Sequence, residues 1–181
     1  KGIFFVGRCD ALPSLNQSNI KHIDSLTKPR YEQLLSRGFD GVNSVTLKYA
    51  EFKSAGMIHK GIHSILRKYF GGMVLDKYRY SDIIKHFITP EDYSERIYPQ
   101  LIPRRDRSPR SGRKAMIYYD STPELFKLAA ENAVKCVEKR DKNHRLIFLN
   151  AWNEWGEGAY MEPDLRFGHK YIEALREVLT N

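Results

Sequence analysis

The chain has 181 residues, of which 41% are hydrophobic and 29% charged. That is enough apolar material for one buried core, and it excludes a disordered tail. Thirty Lys and Arg against 22 Asp and Glu give a net charge of +8, which leans toward phosphate, anionic glycan, nucleic acid or acidic membrane surfaces as partners.

Lys1-Gly2 leads without an initiator Met into Ile3-Phe4-Phe5-Val6, which predicts a piece of a longer protein, residues 1–181 forming part of one domain. Any leader upstream is then invisible. Cys9 and Cys136 form no CxxC pair and cannot make a disulfide framework, so a reduced, cytoplasmic setting is the default expectation. No apolar run approaches the roughly 18 residues that a membrane-spanning helix needs.

Four short apolar or β-branched runs, roughly 2–6, 39–47, 97–103 and 145–151, read as buried parallel strands because turn residues bound each one. Tyr49, Glu51 and Phe52 follow the second strand and read equally as the rim of a site or the start of a helix. His59 and His63 have the i, i+4 spacing of zinc helices, but Lys60-Gly61 stands where an acid would be needed, so no metal site is expected. Residues 104–114, with six basic side chains, predict a long solvated loop; no nucleic-acid-binding module surrounds them.

Ser121-Thr122-Pro123-Glu124 predicts a helix start, with a capping hydroxyl, Pro in the first turn and an acid that suits the dipole. Phe126, Ala129, Ala130, Ala133, Val134 and Val137 then share one face. From about Gly168 a last helix carries Tyr171, Ile172, Leu175, Val178 and Leu179 on its apolar side. Strands alternating with helices predict a parallel α/β fold, either an open doubly wound sheet or part of a (β/α)₈ barrel. A whole barrel takes roughly 250 residues, so four strands amount to about half of one.

The fourth strand, Leu146-Ile147-Phe148-Leu149-Asn150-Ala151, runs directly into Trp152-Asn153-Glu154-Trp155-Gly156-Glu157-Gly158, followed by Tyr160, Glu162, Pro163 and Asp164. Ligand sites in parallel α/β folds lie at the carboxyl ends of strands. Two carboxylates three residues apart on a turn face one side and cannot ionise independently, and an indole nearby would desolvate one of them. Such a pair suits acid and base roles near neutral pH. Trp152, Trp155 and Tyr160 offer flat faces to the apolar side of a sugar ring. The same residues also fit a purely structural role, with Glu154 as a cap or ion-pair partner, the tryptophans as core and the glycines as a strand end.

Phe148 to Gly158 and Tyr160-Met161-Glu162-Pro163-Asp164 closely resemble the C-terminal signature of the WbsX family, which is similar to glycoside hydrolase family 99. Gly38-Phe39-Asp40, Asp106 with Arg110, Ser121-Thr122-Pro123-Glu124, and Gly168 with Tyr171 agree with that family in order. The resemblance implies the C-terminal half of a (β/α)₈ TIM barrel, about four parallel βα units, with the fourth strand here as the eighth of the barrel. It also implies cleavage or transfer of glycosyl units in bacterial surface-polysaccharide metabolism, by a retaining two-carboxylate mechanism through a 1,2-anhydro sugar.

In that mechanism Glu154 assists the sugar 2-hydroxyl and Glu157 protonates the leaving oxygen, then activates water or an acceptor hydroxyl. Asn153, Trp152, Trp155, Asp106, Arg110, Tyr160 and Glu162 would hold the substrate, with no cofactor or metal. Where the family pattern is close to W-D-N-T-x-R, this chain reads Arg105-Asp106-Arg107-Ser108-Pro109-Arg110. The added charge predicts a polysaccharide or oligosaccharide that is acidic or phosphorylated. Two other readings stay open: a non-catalytic glycan-binding half-barrel, and a structural half whose open strand edges pair with the upstream half or a second copy.

Overall fold

The computed structural model describes residues 2–10, 27–55, 69 and 76–180; His59 and His63 lie outside these. Among the described residues the fold is mixed α/β, with six α-helices and a parallel strand array. Strand β1 (Val6–Asp10) pairs in parallel with β2 (Gly41–Val45), and β2 with β4 (Ile97–Tyr98). Then β5 (Gln100–Leu101) pairs in parallel with β8 (Phe148–Leu149). The second, third and fourth predicted strands are therefore present and parallel, though shorter than expected, while the first is displaced by four residues from the predicted 2–6. No strand among the described residues joins β8 back to β1, so the array is not closed.

Local chemistry explains the shortening. Pro99 splits the third strand because it has no N–H for the ladder, while its carbonyl accepts from Phe148 N at 3.0 Å. The first strand begins at Val6 rather than at residue 2. Ile3 and Phe5 are exposed, and Phe4 packs edge-on against Tyr98 and His144 at ring distances of 6.3 and 5.4 Å. The apolar run there covers the sheet end instead of extending it.

A second, three-stranded sheet is present that the sequence pattern did not predict. Strand β3 (Asp76–Arg79) runs parallel to β7 (Met116–Tyr119), which pairs antiparallel with β6 (Arg105–Asp106). The predicted loop 104–114 is thus largely ordered: β6 is followed by helix α4 (Ser108–Ser111) and a 3₁₀ turn over Gly112–Lys114. Arg104 and Arg105 are buried. A basic run reads as solvated, and here acids that arrive some 50 to 60 residues later pay for its burial.

Helix α5 (Pro123–Val137) starts as predicted, with Thr122 Oγ1 accepting from Leu125 N at 3.3 Å. It buries Phe126, Ala129, Ala130, Ala133 and Val137, and its small residues admit helix α6 (Lys170–Thr180) closely. The Phe126 and Tyr171 rings meet at 5.6 Å. Ile172, Leu175 and Val178 pack on this core as expected. Leu179 does not; it is exposed, one residue past the face that the core covers.

Helices α1 (Thr27–Ser36) and α2 (Leu47–Ser54) flank the array, and α3 (Tyr80–Ile83) follows β3. Tyr49, Glu51 and Phe52 therefore belong to a helix. Cys9 joins Tyr31, Val42, Tyr49 and Ile97 in a smaller core, and burial pushes its thiol pKa up, as suits an unreactive apolar residue. Asp92, fully buried in the 3₁₀ turn Pro90–Tyr93, accepts from Thr89 N at 2.7 Å, from Thr89 Oγ1 at 2.9 Å and from Ser44 Oγ. No helix among the described residues is long and apolar enough to cross a membrane.

Candidate active site

The site is assembled at the carboxyl end of β8. The Asn150–Ala151 peptide is cis, and the chain then folds into a small hairpin of β9 (Asn153–Glu154) and β10 (Ala159–Tyr160), paired antiparallel. A 3₁₀ turn over Trp155–Glu157 forms its tip and ends on Gly158 at φ +57. Gly158 is required there on two counts: its backbone is left-handed, and an added Cβ would lie 2.7 Å from Asp106 N. The absent side chain lets the hairpin rest directly on β6.

That contact brings the arginines of residues 105–110 to the acids. Arg105 Nη2 donates to Glu157 Oε2 at 2.8 Å, and Arg107 Nη2 lies 3.3 Å from Glu157 Oε1. Arg110 Nη1 donates to Glu157 Oε1 at 3.2 Å and to Glu154 Oε1 at 3.3 Å. One nitrogen thus reaches an oxygen of each acid. The side chain of Glu157 is 14% exposed and that of Glu154 48%, so the pair is asymmetric: one acid sunk among guanidinium groups, the other at the rim. Close cation–carboxylate contacts of this kind are strong and directional.

A second cluster stands beside it. Trp155 stacks on Tyr160 with centroids 3.7 Å apart and donates from Nε1 to Glu162 Oε2 at 2.5 Å. The close polar contacts of Glu157 are with guanidinium groups. Tyr160 OH donates to Asp164 Oδ2 at 3.0 Å, and Arg104 Nη1 pairs with the same oxygen and with Tyr160 OH. The Arg104 guanidinium also lies over the Tyr160 and Tyr171 rings, 4.2 and 4.1 Å from their centroids. Burial raises the Asp164 pKa, but bonds from Phe167 N, Arg104 and Tyr160 outweigh it and hold that carboxyl below its usual range.

A cavity of about 1140 Å³ opens against this cluster, lined by Arg104, Asp106, Tyr119, Trp155, Tyr160 and His169 among others. Its size suits several sugar rings. Neither Glu154 nor Glu157 lines it; they flank its Trp155 side. Among the described residues no group of three His, Cys, Asp or Glu could hold a metal ion.

Of the residues expected from sequence, Glu154, Glu157 and Arg110 meet directly. Asp106 adjoins them through Gly158 and accepts from Ser108 N at 2.8 Å. Trp155, Tyr160 and Glu162 form the neighbouring cluster. Trp152 is half exposed and Asn153 exposed; Trp152 contributes its carbonyl, which accepts from Met161 N at 2.8 Å. Arg104 and Asp164 were missed as site residues, and Arg105, expected to meet an acidic glycan, meets Glu157 instead. Asp164 stood within the quoted motif, and Arg104 was hidden by the loop-like composition around it.

No solved structure matches the chain. Two curated relatives, each described as uncharacterized protein WxcX and found in two strains of Xanthomonas campestris pv. campestris, B100 and ATCC 33913, are 39% identical over 93 residues. The match covers 49% of this chain and 13% of each relative, so the chain spans a small part of their length. The sequence model of the family described as glycosyltransferase WbsX matches residues 9–175, nearly the whole chain, and the chain belongs to that family.

Proposed function

We propose that this chain carries the C-terminal half of a (β/α)₈ enzyme that cleaves or transfers glycosyl units in bacterial surface-polysaccharide metabolism, with Glu154 and Glu157 as its catalytic carboxylates. The observation that carries the reading is the pair itself, delivered by one short hairpin at the end of the fourth parallel strand and joined by a single Arg110 nitrogen. Membership of a glycosyltransferase family supports a carbohydrate-active role.

In the retaining scheme Glu154, at the rim, takes the proton of the sugar 2-hydroxyl as that oxygen attacks the anomeric carbon. Glu157 gives a proton to the departing oxygen and later takes one from water or an acceptor hydroxyl as that oxygen opens the 1,2-anhydro ring, while Glu154 returns its proton to the sugar O2. Both Glu157 oxygens meet guanidinium groups, so the acid role requires an oxygen to be released. Oε1 is the candidate, because its partners Arg110 and Arg107 are 60% and 34% exposed against 9% for Arg105 on Oε2, and both must shift from it as a glycan arrives. Trp155 and Tyr160 supply the stacking surface, Trp152, Asn153, Asp106 and Glu162 the rim contacts. Arg105 and Arg107 are taken up by Glu157, so a preference for an acidic glycan would rest on Arg110 and on cations at the cavity edge such as Arg166.

The test is activity of the complete protein on a panel of bacterial surface polysaccharides with reducing-end analysis, beside Glu154→Gln and Glu157→Gln. New reducing ends or transferred sugars that vanish in both variants support the reading. Binding that persists in both variants without turnover in any form favours a glycan-binding half-barrel instead.

A further inference from the structure

We propose that Glu51 and Tyr118 are a positioning pair for the carboxylate site: they hold Arg105 from behind, and Arg105 in turn holds Glu157. The inference rests on the proposed function only in taking Glu157 as a site carboxylate. Tyr118 OH donates to Glu51 Oε1 at 2.8 Å. Tyr118 is also the residue directly opposite Arg105 in the β6–β7 ladder. Arg105 then donates from Nη2 to Glu157 at 2.8 Å, while its buried Nε meets no hydrogen-bond partner among the described residues. A buried guanidinium with an unpartnered nitrogen is held by charge as much as by hydrogen bonds, and Glu51 is a second acid that acts on it.

The surroundings of Glu51 make its charge variable. Burial drives its pKa up from 4.5 to about 7, against the lowering effects of the Tyr118 hydroxyl, Arg105 and Lys48, with Asp76 adding to the rise. Tyr118 lies on β7, Arg105 on β6, Asp76 on β3 and Lys48 on α2 itself. Helix α3 and the turn Ile84–His86 also pack on α2; they carry Asp82 and Lys85, which pair with each other at 2.8 Å, and His86. Below neutral pH Glu51 is protonated and leaves the Arg105 charge to Glu157. Above it, ionised Glu51 shares that charge, and Glu157 is gripped less firmly.

The experiment is a pH titration of the intact protein labelled with ¹³C at the Glu carboxyls, the Glu157 signal being assigned by its loss in Glu157→Gln. The Glu157 signal is expected to move with an inflection near pH 7 that coincides with the titration of Glu51. Glu51→Gln, which keeps an acceptor for Tyr118, should abolish that inflection. Tyr118→Phe removes a bond that lowers the Glu51 pKa, and should carry the inflection to higher pH; it serves also if Glu51→Gln fails to fold. A Glu157 signal that follows the same curve in wild type and both folded variants overturns the proposal, as does a Glu51 that titrates in the ordinary carboxylate range. The readout needs no substrate, so a protein inactive on every glycan but carrying the neutral inflection sinks the proposed function and leaves this inference standing.

Discussion

Asp92 and Glu157 are both acids removed from solvent, and they are held in opposite ways. Asp92 is satisfied by neutral donors: two from Thr89, three residues away, and one from Ser44. With no cation on its carboxyl among the described residues, burial pushes its pKa up from 3.8 to about 6. Glu157 is held by three guanidinium groups from a segment some 50 residues earlier, one of them exposed. The first arrangement builds a turn that nothing needs to open. The second concentrates charge at a rim, where an incoming ligand can replace a contact. Asp92 is closed in by neutral donors, whereas Glu157 keeps exposed, exchangeable charge beside it.

Substitution should therefore separate the two acids. Glu157→Gln is expected to lower turnover about 10²- to 10⁴-fold, as loss of an acid–base group does, with retained glycan binding measured by calorimetry. Asp92→Ala should do the reverse. It strands the Thr89 and Ser44 donors and is expected to cost about 3 kcal/mol in urea unfolding, with specific activity of the folded fraction unchanged. If Asp92→Ala removed activity and left stability intact, the comparison would fail.

Acid dependence sharpens it further. The folded pKa of Asp92 lies above its unfolded value, so the stability that its protonation provides is complete below about pH 4 and is lost as pH rises through 6. Asp92→Asn mimics the neutral form and should flatten that fall, an effect of up to about 3 kcal/mol between pH 4 and 7 on the scale of the shift. The smallest effect is expected from Arg110→Ala. Its exposed pairs are worth under about 1 kcal/mol, so thermal unfolding should barely move while the pH profile of turnover changes.

Much of this was legible in the chain. Three of the four parallel strands followed from apolar runs bounded by turns, and α5 from Thr122-Pro123-Glu124, because local propensity and burial agree there; β1, Val-Gly-Arg-Cys-Asp, begins where its apolar run ends. The acids of the hairpin were legible as chemistry from the spacing of Glu154 and Glu157. Strand β3 was not, since Asp-Lys-Tyr-Arg is polar at nearly every position and exists as a strand only because β7 supplies a partner. Nor was β6, where buried Arg105, with buried Arg104 just before it, contradicts the usual reading of a basic run. What makes them possible, Glu157 and Asp164, lies 52 and 60 residues away. No local pattern carries that information.

Gly158 gives the site a mechanical fit without clearance. The hairpin is seated on β6 by bare backbone, so the setting of both carboxylates depends on a position that carries no functional group. A single methyl group there would act as a shim, lifting the acids off their arginines while leaving every reactive atom in the chain. Tolerance at this seam, more than the chemistry above it, then limits which neighbouring sequences the hairpin can accept.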